Sequence, residues 1–215
     1  MSRQRSDETV LYSAGFLGFA CAVSAALLLA IVNLTEPIIE LRFREDQLVG
    51  LNQVLPVSEL QNDLLSSEVT VLHLLQEYRM FTGMTENSDP LGYAVQFSVE
   101  GYAGPIVILM GVNADLSIRQ VRVLSHSETP GLGDKIELGK TSWVNQFSGL
   151  QLDSITVENW AVKKDGGQFD QFSGATITPR AVVNGIHQTL VELPAIIREA
   201  ETQRGRSATG SGGES

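Results

Sequence analysis

The chain of 215 residues has a single cysteine, Cys21, which excludes an internal disulfide and any cysteine-ligated zinc or iron–sulfur site. Redox chemistry, if the chain performs any, must come from another cofactor. Basic charge is also scarce: 15 Lys and Arg stand against 25 Asp and Glu, a formal net charge of −10. That balance argues against a nucleic-acid partner, which needs a basic face, and gives a self-repelling, soluble surface. There is no internal repeat. Charge of either sign is missing altogether from residues 9–35.

That last absence defines the N-terminal third. Residues 11–34 are long enough at helical rise to cross a hydrocarbon core of roughly 30 Å, and predict one transmembrane helix. The apolar stretch exceeds a signal-peptide core of about 7–15 residues. A lipoprotein signal is disfavoured as well, since Cys21 follows Gly18-Phe19-Ala20 in the middle of the run and apolar residues continue past it. Gly15, Gly18, Ala20, Ala22, Ser24, Ala25 and Ala26 let a second helix approach closely, as expected of one component of a larger membrane assembly. Residues 1–10 form a polar flank. Its Arg3 and Arg5 nearly tie with Arg42 and Arg44 in setting orientation.

With 43% hydrophobic residues, the remainder suffices for one core. Ile38, Leu41, Leu48, Leu51 and Val54 share a helical face, predicting an amphipathic stalk over 35–56, with Pro37 near its start and Pro56 at its end. A globular domain follows over 57–203. Its first part is mixed, and residues 69–75 fit either a strand or a buried helix. Residues 93–99 alternate as a half-buried strand, 106–110 are a continuous apolar strand and 118–124 a third, so an antiparallel meander is expected. Such a meander needs helices or a second sheet over its apolar face. Residues 135–147 predict a helix with Ile136, Val144 and Phe147 inward, and 155–162 predict another strand with an exit turn at 163–167. Thr178 as N-cap and Pro179 as first helical residue predict a helix over 179–190, with Val182, Val183, Ile186 and Leu190 on one face. Pro194 should interrupt it, leaving a short helix over 195–202. The Gly/Ser-rich residues 204–215 predict a disordered tail.

Two loops are candidates for binding. Glu128-Thr129-Pro130-Gly131-Leu132-Gly133 is a sharp loop whose backbone can approach a ligand closely. Ser173-Gly174-Ala175-Thr176 is a tight turn just ahead of a helix N-terminus, where the dipole favours a phosphate. On these residues alone, each is more often an ordinary turn or cap. The chain offers no evident base to activate Thr176, because the positions of His126 and His187 are open.

The stretch Asp170-Gln171-Phe172-Ser173-Gly174-Ala175-Thr176 resembles the flavinylation motif of the flavin-carrying subunits of Rnf and Nqr ion-translocating redox complexes. The run Gly101-Tyr102-Ala103-Gly104-Pro105-Ile106 and the loop from Glu128 to Gly133 look like further parts of that family's FMN-binding domain, in the same order. The resemblance implies FMN bound covalently through its phosphate to Thr176, with Ser173, Gly174, Ala175 and Asp170 around the attachment point and the Glu128 to Gly133 loop against the flavin. It implies a flavin transferase that delivers the FMN moiety from FAD. Small residues at 174 and 175 leave the hydroxyl open to such an enzyme. Lys163, Lys164 and Arg180 are near enough in sequence to offset part of the phosphate charge, although such residues are more often simply solvated at the surface.

The implied fold class is α+β: one N-terminal transmembrane helix, then an FMN-binding domain with an antiparallel sheet packed by helices. The implied role is electron transfer in the bacterial inner membrane, single-pass with the main domain periplasmic. Its partners would be the other membrane and redox subunits of an Rnf-type complex, which couples electron flow between NADH and ferredoxin to movement of sodium ions or protons. The shorter chain favours the Rnf protein over its counterpart in the sodium-pumping NADH:quinone reductase. From other classes, a tethered scaffold never flavinylated and a periplasmic small-molecule binding domain are the alternatives.

Overall fold

The computed structural model describes residues 17–18, 21–29, 47–55, 57–87 and 89–210. The chain divides into two units, Met1–Gln47 and Leu48–Ser215. In the first, residues 17–18 and 21–29 are helical. Most of the expected span and the first part of the stalk lie outside the described residues. Among the described residues no helix is long and apolar enough to cross a membrane.

The second unit is built on a five-stranded antiparallel sheet in sequence order. Its strands are β1 (Val69–His73), β2 (Gln76–Met84), β3 (Pro90–Glu100), β4 (Pro105–Asn113) and β5 (Ile118–Ser125). The last three are the expected meander. The run at 69–75 resolves as a strand and a hairpin tip, because His73 pairs with Gln76 and leaves only Leu74 and Leu75 to turn the chain. Both adopt positive φ, 48° and 68°, as a two-residue hairpin loop with left-handed twist angles requires. For leucine that conformation costs about 1–2 kcal/mol per residue.

Strand β3 departs from half-burial. Ala94 is fully buried, as is Val95 on the opposite face. The reason is a second layer: helix α1, residues 47–54, lays Leu51 and Val54, with Leu55 just after it and Leu64, over Phe81, Ala94 and Leu109. The second half of the expected stalk is thus part of the globular core. The approach is close enough that a Cβ on Gly111 would lie 2.2 Å from the Val54 carbonyl oxygen. Gly111→Ala should therefore lift α1 from the sheet and cost about 2–3 kcal/mol, read as a lower urea midpoint.

The other face is covered by helix α2, Ile177–Gly210. Val182, Val183, Ile186, Leu190, Leu193, Ile196 and Ala200 are buried against Tyr78, Val95 and Phe97. Two expectations fail here. Pro194 lies within the helix instead of dividing it, and the helix runs past residue 204, where a disordered tail was expected. Pro194 removes one hydrogen bond to the Leu190 carbonyl on an exposed position, while the buried Leu193, Ile196 and Ala200 hold the next turns to the sheet.

Between β5 and α2 the chain forms an irregular lobe. The expected helix over 135–147 is two short 3-10 turns, Gly133–Ile136 and Trp143–Phe147, although Ile136, Val144 and Phe147 are all inward. Thr141 ends the first: its hydroxyl donates to the Lys135 carbonyl and accepts from the Trp143 N–H. The strand expected at 155–162 is also absent. Its N–H groups are used locally, as in Trp160 N–H to Val157 C=O, and only Val162 bridges to Phe169. Rings hold this lobe together, with Phe147 stacked on Phe169 at 4.7 Å and Trp143 edge-on to Phe172 at 5.2 Å.

Candidate functional site

The site forms where three loops meet at one end of the sheet, and a buried carboxylate joins them. Glu128 is 4% exposed. Its Oε1 accepts the N–H groups of Tyr102 and Ala103 at 2.8 and 3.1 Å, closing the β3–β4 turn. Its Oε2 accepts the Thr178 hydroxyl at 2.5 Å, tying the same residue to the first turn of α2. Thr178, expected as the N-cap, is instead inside the helix and wholly buried. The fit leaves no slack: a Cβ on Gly133 would lie 2.8 Å from Oε2.

The loop after Glu128 is closed by the Leu132 and Gly133 N–H groups, which both donate to the Thr129 carbonyl at 3.1 Å, with Gly131 at φ 79°. Below it, Asp134 accepts from Lys140 Nζ at 2.7 Å. That hydrogen bond, with one from the Gly131 N–H, holds its carboxyl below the ordinary value of 3.8. Asp165 is lowered likewise, by Arg180. A depressed carboxyl contributes stability that is fully present above its unfolded pKa and is lost as pH falls through the folded one. Lys140→Met should accordingly flatten the loss of stability between about pH 5 and pH 2, measured as the urea midpoint against pH.

The second loop is a turn whose Ala175 N–H donates to the Phe172 carbonyl at 3.2 Å. Gly174 adopts φ 83° at its third position, a conformation glycine reaches without strain. Trp143 anchors the approach, its Nε1–H donating to the Asp170 carbonyl at 2.7 Å. Thr176 then falls immediately before the first residue of α2, half-buried and lining a pocket of about 320 Å3. Glu128, Thr129, Leu132, Gly133, Gly174, Ala175 and Thr176 all line it, joined by Tyr102, Ile177 and Thr178.

Asp170, Ser173, Pro130 and Gly131 are not among the lining residues. The Asp170 carboxylate turns to Lys163 Nζ at 2.5 Å, and Arg180 is held in a two-point pair with Asp165 at 2.6 and 2.8 Å. No lysine or arginine lines the pocket; of the three candidate cations, Lys163 and Arg180 are paired with Asp170 and Asp165. Neither histidine serves Thr176. His126 accepts the Glu128 N–H on Nδ1, which fixes the proton on Nε2 facing Glu137 at 2.9 Å. His187 stacks on Trp160 at 5.2 Å, and burial pushes its pKa down.

The rim is apolar and open. Tyr102 is 69% exposed, Ile177 45% and Leu132 41%, values unusual for side chains of this size around one cavity. The positions of Tyr102 and Ile177 as rim residues were missed in the sequence. The signal for Tyr102 was its place in the Gly101 to Pro105 turn, and for Ile177 its adjacency to Thr176. A planar ring fits between such side chains, and a phosphate fits at the start of α2. The volume of about 320 Å3 is small for a whole flavin mononucleotide and suffices for part of one.

Residues 101–191 match the sequence profile of the FMN-binding domain, a stretch that contains the β3–β4 turn, the Glu128 loop and Thr176. The G subunit of an ion-translocating oxidoreductase complex from Stutzerimonas stutzeri is 46% identical over 189 residues, covering 85% of this chain and 80% of that one. The corresponding protein of Vibrio parahaemolyticus is 41% identical over 180 residues, covering 80% and 83%. The chain belongs to this family, the G subunits of ion-translocating oxidoreductase complexes. Among solved structures, NqrC of Shewanella oneidensis matches with 23% identity and a TM-score of 0.42, over 60% of this chain and 65% of that one.

Proposed function

We propose that this chain is a membrane-anchored electron carrier whose FMN is joined through its phosphate to Thr176. The observation that supports the reading is that Thr176 lines the pocket immediately ahead of the α2 N-terminus, preceded by the small residues Gly174 and Ala175. Among the described residues His126 and His187 are engaged with Glu137 and Trp160, and Glu128 is committed to Thr178, which suits attachment by a separate enzyme. In that step the Thr176 Oγ–phosphorus bond forms and the phosphoanhydride of FAD breaks. AMP leaves, and the hydroxyl proton passes to the transferase.

FMN, once attached, supplies the redox chemistry. The chain supplies position: the α2 N-terminus would hold the phosphate, and Tyr102, Leu132 and Ile177 would flank the ring. Glu128 keeps the three loops in register. With no cation in the lining, the ester bond rather than charge pairing retains the cofactor. Residues 11–34 would span the inner membrane once, with the domain on the periplasmic side. Its partners there would be the other redox subunits of the complex, which moves sodium ions or protons.

The full chain, purified after co-expression with a flavin transferase, is expected to remain yellow through dialysis in SDS. Colour lost on dialysis would mean a reversibly bound ligand, and a chain colourless from the start would mean a scaffold; either result contradicts the proposal.

A further inference from the structure

The β1–β2 hairpin ends in the sequence Leu72-His73-Leu74-Leu75-Gln76-Glu77, and its apolar side chains are turned out of the fold. Leu72 is 67% exposed, Leu74 72% and Leu75 97%. Three exposed leucines on one tip expose more contiguous apolar surface than scattered single residues do. The backbone is unfavourable for them too, since φ of 48° and 68° suits Asn-Gly at these two positions. A tip that is both apolar and strained lacks a rationale in the stability of the domain by itself.

Its location supplies one. Gln76 Nε2–H donates to the Ser98 carbonyl at 3.1 Å, Val99 pairs with Ile106, and Val107 pairs with Ser125. The tip therefore stands at the same end of the sheet as the β3–β4 turn and the pocket that Glu128 organises. Helix α1 reaches this end as well, because a Cβ on its Gly50 would lie 3.4 Å from Leu124 Cδ2. Whatever covers the tip is thus placed at the pocket end of the sheet.

Charge distinguishes the occupants. Glu77 stands opposite Leu72 in the ladder, and His73 is paired with Glu199 at 2.8 Å. The tip carries no Lys, Arg, Trp or Tyr, the residues that anchor a loop in an anionic bilayer surface. Its acidic margin suits a basic one.

We propose that the Leu72, Leu74 and Leu75 fingertip is a docking element that seats in an apolar, basic-rimmed socket on another protein of the complex. Seating it brings the pocket end of the sheet against that protein. The proposal goes beyond the flavin reading and does not require it.

The test uses the full chain in a complex purified in detergent through a tag on a different component. Leu74→Asn/Leu75→Gly relieves the backbone strain, so the isolated chain should melt about 3–6 °C higher while retention in the complex falls at least about ten-fold. Leu75→Gln alters one almost fully exposed side chain and keeps the parent backbone, so it reads docking whether or not the double variant folds; its retention should fall about five-fold. Glu77→Lys should cost retention about three-fold by placing like charge at the rim. Retention within about two-fold of the parent for Leu75→Gln and for a folded double variant would overturn the proposal. So would retention that is normal in detergent and lost only in bilayers of anionic lipid, which would assign the tip to the membrane. Flavin fluorescence of the same bands reports attachment separately: dark bands with parental retention count against the flavin reading, and bright bands with lost retention support the docking element.

Discussion

Thr176→Ala, co-expressed with a flavin transferase, should give a dark band under ultraviolet light after denaturing electrophoresis, where the parent chain fluoresces. The expected loss is complete, because the ester oxygen is removed and, of the pocket's other hydroxyls, those on Tyr102 and Thr129 belong to other loops than the turn ahead of α2. Ser173 lies in the same turn but is not among the residues lining the pocket. Thr178 is wholly buried and its hydroxyl is committed to Glu128. The fold should survive, since loss of a threonine ahead of a helix costs about 1 kcal/mol. Thr176→Ser keeps the oxygen and should restore part of the signal. A fluorescent Thr176→Ala band would move the attachment elsewhere and with it the proposed role of the turn.

Glu128→Ala is expected to be the most damaging single change in the domain. It removes the acceptor of three hydrogen bonds and orphans the fully buried Thr178 hydroxyl, while the Tyr102 and Ala103 N–H groups can turn to water. Hydrogen bonds to a charged group are worth about 1.5–3 kcal/mol each when buried, so a loss of about 3 kcal/mol in total is expected. Glu128→Gln keeps the shape and one acceptor and should lose about 1–2 kcal/mol. Both would be read from urea unfolding. Because the carboxylate holds the β3–β4 turn against α2, the folded fraction of Glu128→Ala should also accept FMN about ten-fold less readily. Unchanged stability and unchanged loading together would show that the three loops hold their register without it.

The parts of the fold legible in the sequence were those governed by a short period. Tyr93, Val95, Phe97 and Val99 alternate, and the strand they predict lies within β3. The apolar face of Leu51 and Val54 was equally legible, but the sheet it covers was not, because periodicity gives a face and never its partner. Pro194 misled for a related reason: local propensity marks a break, and three buried side chains on the surrounding turns outweigh it. The lobe from residue 126 to 176 was the least legible part. Trp143, Phe147, Trp160, Phe169 and Phe172 pack ring against ring at irregular spacings, so no helical or strand period betrays them.

The candidate site divides similarly. Glycines and the Thr176 turn stood out by composition, and of these Gly133, Gly174 and Thr176 line one pocket with Glu128 while Gly131 does not. Glu128 read as one more loop residue, whereas its geometry makes it the joint of the site. The reverse holds for Lys163, Lys164 and Arg180. Their proximity in sequence allowed a partial offset of the phosphate charge, with surface solvation the commoner role, and Lys163 and Arg180 are paired with Asp170 and Asp165 while Lys164 bonds Gln171 through its backbone N–H.

The most direct measurement is the mass of the proteolytic peptide containing residues 173–176, from full-length protein made with an active flavin transferase. The account predicts a mass increased by one FMN less one water, with fragmentation assigning the addition to Thr176. An unmodified peptide, with the same transferase shown to load another acceptor, would contradict it.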